Sequence, residues 1–233
     1  CMPAATKLCI YFRRMLKFDQ MDFEFASWQM FYLFVAPKKV FRNFQYRKKT
    51  KSQFARDDPA FLVLFVAWLC ITSVGFAIVL RLTFWKFVRF LLYVIFMDCI
   101  GMGIIIASLF WYISNKYFCI NEKQDIEWGY AFDVHLNAFF PPLIILHFFQ
   151  LFFYNGLMNH KWYISRYLGN TYWLFAGIYY IYITFLGYSS LPMSRRTNLL
   201  LVPLPIIVLV YIVSLSTGFN ITYFLMNFYT NRI

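Results

Sequence analysis

Residues 60–80 run for 21 positions without a charged side chain, and a run of that kind has few places to go. About 20 apolar residues wound as helix cross the roughly 30 Å hydrocarbon layer of a bilayer, and helix is required because unpaired backbone is too costly in lipid. Four more windows match: 90–113, whose one charge is Asp98, and 134–154, 167–191 and 199–219, which carry none. The series predicts an all-α integral membrane protein with five transmembrane helices and a short tail at 220–233. Composition agrees: 61% of the 233 residues are hydrophobic and 14% charged, against about half and about a quarter in a soluble domain. One compact core would not hide that surplus.

Twelve of the 22 Lys and Arg residues lie before Ala60, with five acids, so a basic head (1–59) precedes a membrane body (60–219). Five crossings put the two ends on opposite sides. Head, 114–133 loop (Lys116, Lys123) and 192–198 loop (Arg195, Arg196) place sixteen basic residues on one side. Six lie on the other: Arg81, Lys86, Arg89, Lys161, Arg166 and Arg232. The positive-inside tendency makes the head cytosolic and the C-terminal tail luminal or extracellular. Cys1, Cys9 and Cys119 then fall on the cytosolic side and Cys70 and Cys99 within spans, so no structural disulfide is expected. No secretory signal pattern is present; the sequence begins at Cys1, which leaves a lost leader open. The sequon Asn220-Ile-Thr222 abuts the last span, too close to the membrane for use.

The head divides at Pro37. Residues 20–36 read as a helix capped by Asp19, with Asp22 and Glu24 favouring its positive end. Met21, Phe25, Trp28 and Tyr32 recur at helical spacing, with Asp22 and Gln29 on another face. The helix is too short to cross. It is either an interfacial or amphipathic helix or the first element of the membrane core. After it come Lys38, Lys39, Arg42, Arg47, Lys48, Lys49, Lys51 and Arg56, interleaved with Phe41, Phe44, Tyr46 and Phe54. Such a strip beside a span suits anionic lipid headgroups, then an acidic face of a cytosolic partner. RNA is the third candidate, since basic charge plus stacking rings is a single-strand footprint. Asp58 and Pro59 suit the first turn of the first span.

Polar residues inside a bilayer are expensive and mark candidate sites. Asp98 and His147 fall at depths of roughly 22 and 20 Å in consecutive antiparallel spans. A hydrogen bond between them is expected, with Gln150 on the face of His147. The pair reads as a register-fixing bond, or else as a proton relay or ion site; one carboxylate and one histidine are few ligands for a metal. Asp133-x-His135-x-Asn137 stands at the loop–membrane junction. On a helix Asp133 and Asn137 share a face and His135 points nearly opposite, so no three groups converge. Pro141 and Pro142 supply no N–H to the carbonyls of Asn137 and Ala138, and the helix proper is expected to start at the prolines. No Gly-rich phosphate loop, nucleophile elbow or paired-carboxylate site occurs, so no catalytic residue, metal or cofactor is assigned and no enzyme is expected.

Several segments, QMDFEFASWQMFYLF (20–34), YRKKTKSQFARDDPAFLVL (46–64), SNKY (114–117), EWGYAFDVHLNAFFPPLIILHFFQLFF (127–153) and YYIYITFLGYSSLP (179–192), resemble the Unc-fifty family of Golgi membrane proteins. The resemblance runs from about Tyr11 to Tyr229, departing in a short N-terminus and in the 118–126 and 157–166 loops. It implies a five-helix Golgi protein with a cytosolic N-terminus; the nuclear or endoplasmic reticulum membrane is the alternative location. It implies a non-enzymatic trafficking adaptor that recruits large Arf guanine-nucleotide exchange factors and supports cell-surface transport of receptor cargo, notably nicotinic acetylcholine receptors. RNA binding is also suggested within the family. The rival readings from the residues are a small transporter or proton-coupled carrier using Asp98 and His147, and RNA binding through the basic head.

Overall fold

A computed structural model describes residues 11, 13–15, 17–43, 56, 58–118, 125–160, 162–191 and 195–232. Helix α1 (Phe23–Val35) and α2 (residues 37–43) belong to the head. The body comprises α3 (Ala60–Val79), α4 (Phe84–Phe118), α5 (Trp128–Met158), α6 (Tyr163–Ser189), α7 (Thr197–Ser216) and α8 (Ile221–Arg232). No strand occurs among the described residues.

Four of these helices, α3, α4, α5 and α7, are long and apolar enough to cross a membrane. The expected fourth span, 167–191, is the exception. It corresponds to α6, whose 27 residues have the length, but seven tyrosines lower its hydropathy. Some of those rings pack inside. Tyr188 and Ile183 are fully buried, and the Tyr179 hydroxyl donates to the Leu33 carbonyl at 2.9 Å. The expected spans 90–113 and 134–154 are the middles of longer helices, because aromatic and polar residues at both ends continue the backbone ladder beyond the hydrocarbon-length core.

The body is built around α5, the most buried of the four long apolar helices, which packs between α4 and α6. Helix α7 lies on α6 and presents Ile206, Leu209, Val210 and Ile212 outward. Apolar exposure on that scale suits a lipid surround. Small residues set the closest approaches. A Cβ on Gly187 of α6 would stand 2.7 Å from a Val134 methyl of α5, and one on Gly103 of α4 would stand 3.3 Å from the His135 ring. Helix α7 stops at Gly218, whose φ of +76° lets the Phe219 N–H reach back to the Ser214 carbonyl at 2.9 Å.

Residues 220–233, expected as a tail, contribute α8, which folds back on α6. Asn170 fastens the turn: its amide donates to Ser214 Oγ and the Phe219 carbonyl, and its oxygen accepts from the Ile221 N–H, all within 2.9 Å.

The prolines at 141 and 142 lie inside α5, which begins at Trp128. The expectation that the helix starts at the prolines is therefore corrected. The preceding three turns are almost wholly buried, and unwinding them would strip many backbone groups of partners, whereas the prolines remove only two donors. The wider π-type turn at Ile145–Phe149 follows directly.

Candidate functional site

Two places gather polar groups inside this apolar body. The first joins the head to the bundle. Asp22 caps α1, accepting from the Phe25 N–H at 2.8 Å; Asp19, the expected cap, sits in a separate 3₁₀ turn at Phe18–Gln20. Asp58 accepts from the Asp22 N–H at 2.8 Å and the Ala60 N–H at 3.0 Å, so one carboxylate ties the start of α1 to that of α3. Helix α1 has no continuous polar face. Gln29 is buried with Ala26, Met30 and Leu33, while Phe31 and Val35 are exposed. It packs on α3 and α5.

Arg56, one of the bases of the strip, is 8% exposed. Its Nε stands 3.1 Å from Asp133 Oδ1, and its backbone N–H donates to Asp133 Oδ2 at 2.7 Å. Its terminal nitrogens donate to Gln29 Oε1, Asn137 Oδ1 and the Asp133 carbonyl, each at 3.3 Å. Gln29 Nε2 closes the ring onto Asn137 Oδ1 at 2.9 Å, and the Phe61 face lies 4.2 Å from the guanidinium carbon. A planar fork suits this cluster; an ammonium would not reach its several acceptors. Burial, and then the Asp133 carboxylate, raise the Tyr11 hydroxyl far above the ordinary tyrosine range, so it stays neutral beside the cluster.

The structure thus brings Asp133 and Asn137 together through Arg56 and Gln29. His135 turns away: its Nδ1 lies 2.8 Å from the Tyr180 hydroxyl on α6. Lys38, Lys39 and Arg42 are exposed on α2, next to the buried Val40 and Phe41. Arg47, Lys48, Lys49 and Lys51 lie outside the described residues.

The second place is a cavity of about 560 Å³ bounded by α3 to α8. Asp98 and His147 both line it, but they are not hydrogen-bonded to one another, which corrects the expected pair. Asp98 accepts instead from the Tyr229 hydroxyl of α8 at 2.9 Å. His147 packs edge-on against Phe76, with 4.9 Å between ring centres, and its Nδ1 is buried without a partner. Both residues sit on π-type turns, Val94–Gly101 and Ile145–Phe149. Such turns rotate side chains away from the register that equal-depth counting on an ideal helix assumes. Gln150 donates to Thr222 Oγ1 of α8. Equal depth was legible; the intervening α8, reached only after two more helices, was not.

With no strand among its described residues and four apolar helices of bilayer length, this is a polytopic membrane protein. Comparison with known sequences narrows the class. The UNC-50 family profile matches residues 11–230. The Drosophila melanogaster protein unc-50 homolog is 62% identical over 234 residues, covering 100% of this chain and 85% of its own length. The Xenopus laevis unc-50 homolog A and the Homo sapiens unc-50 homolog are 54% and 53% identical, each over 99% of this chain and 90% of their own. The chain belongs to the UNC-50 family. No solved structure matches it.

Proposed function

We propose that this protein is a non-enzymatic Golgi membrane adaptor. It crosses the bilayer five times with its head in the cytosol and its C-terminal end in the lumen. Its basic strip recruits a large Arf exchange factor and so supports cell-surface transport of receptors such as nicotinic acetylcholine receptors. The observation that carries this reading is the anchoring of the strip. Val40 and Phe41 are buried at its start and Arg56 at its finish, while Lys38, Lys39 and Arg42 stay exposed. A charged segment held at both ends loses less freedom on binding than a free tail. Membership of the family over residues 11–230 supports the same reading. In favour of a fifth crossing, α6 is about 40 Å long at ~1.5 Å per residue and packs between α5 and α7.

The test is recovery of a purified Arf exchange factor on full-length protein in liposomes. Recovery in neutral liposomes, lost when Arg47, Lys48, Lys49 and Lys51 are all alanine, is expected. Equal recovery by that variant would sink the assignment. A second reading, a proton-coupled carrier, is favoured only by Asp98 and His147 lining one cavity. It requires that Asp98→Asn leave folding and location intact while abolishing a pH-dependent flux.

A further inference from the structure

The cavity between α3 and α8 has a wall chemistry the adaptor reading does not use. Its lining is overwhelmingly apolar, with Leu69, Leu143, Leu146, Ile181 and Ile207 among the side chains. Its volume of about 560 Å³ falls within the ~300–1,000 Å³ of small-molecule sites. Three lining residues carry a buried ring nitrogen with no hydrogen-bond partner: His135 Nε2, His147 Nδ1 and Trp173 Nε1. Buried polar atoms are normally paired, and these three belong to residues that share one lining. The cavity also reaches the lipid-facing surface. Met102 on α4 and Val210 on α7 both line it and are 47% and 54% exposed, while α7 packs chiefly on α6. These two exposed residues put the rim of the cavity between α4 and α7.

The polar atoms select the ligand's head. Among the described residues no Lys or Arg lines the cavity, which disfavours a fatty-acid carboxylate or a phosphate. Asp98 is the one lining carboxylate among the described residues and already accepts from Tyr229, while the Trp173 N–H offers a donor that an ammonium could not use. A hydroxyl both donates and accepts, and so satisfies this mixed set. We propose that this cavity is an intramembrane binding site for an uncharged lipid bearing a hydroxyl head, which enters between α4 and α7.

A sterol and an acylglycerol share that chemistry, so photoreactive, click-tagged probes of both kinds would be applied to purified full-length protein in nanodiscs. Saturable labelling by at least one probe is expected, mapped to α4 around Met102 or to α6 around Trp173. The unlabelled parent lipid should compete and its methyl ether should not. Trp173→Phe, which removes one donor, should weaken apparent affinity about fivefold, as loss of one hydrogen bond would. Met102→Trp, at the exposed rim, should block labelling while thermal stability is kept. The proposal is overturned if neither probe labels saturably, if labels fall only on Ile206, Leu209 and Ile212 of α7, outside the cavity lining, or if the methyl ether competes equally. Undiminished labelling in both variants would overturn it too.

Discussion

Replacing Arg56 by methionine would take from the buried Asp133 carboxylate the guanidinium that stands 3.1 Å away. Breaking a buried pair from one side costs about 3–5 kcal/mol, whereas exchanging both partners for apolar residues is often neutral or better. Arg56→Met should therefore lower the unfolding temperature of the detergent-purified protein sharply, and Arg56→Met with Asp133→Leu should recover most of it. Equal loss in the single and double variants would show that the charge pair is not the reason. Spacing alone puts Asp133 and Asn137 on one helix face. Their partners are hidden at this scale: Gln29 stands 108 residues from Asn137, and Arg56 stands 77 residues from Asp133. In sequence Arg56 looks like its basic neighbours, and periodicity cannot single out the one that turns inward.

Between elements, glycine sets the α5–α6 distance. Gly187→Val would drive new methyls into Val134 and would also press on Phe41. Overpacking of this kind costs roughly 1–3 kcal/mol, to be seen as a lower unfolding temperature. Gly156→Ala is the control: a Cβ there meets nothing within 4 Å, and stability should hold or rise slightly. Helix existence was legible from the uncharged runs, because lipid enforces helix on any such stretch. Helix ends were not. Asp22 and Asp19 are equally good caps on paper, and local turn geometry chose the former. The prolines of α5 carried a true local signal that burial on every side overrode.

For the molecule as a whole, topology is the open quantity a labelling experiment decides. In a cysteine-free background, cysteines at His160 and Arg195 flank α6. If α6 crosses, a membrane-impermeant maleimide should reach only one of Arg195→Cys and His160→Cys in sealed vesicles, and the other after permeabilisation. Reaction of both from one side would leave α6 as a helix buried within the bundle without crossing. Charge asymmetry carries the orientation in the sequence. The hydropathy of α6 reads weakly because its tyrosines face protein as well as membrane.

The Arg56 cluster also imposes an order on biosynthesis. Chains leave the ribosome N-terminus first, so Gln29 and Arg56 are made, and wait in water, while α3 and α4 enter the bilayer. Asp133 and Asn137 arrive only with α5. Helix α1 can meet α3 before then, but the cluster cannot form, and any chain that stalls ahead of α5 lacks it. Formation of the cluster thus reports that the third long helix has been delivered.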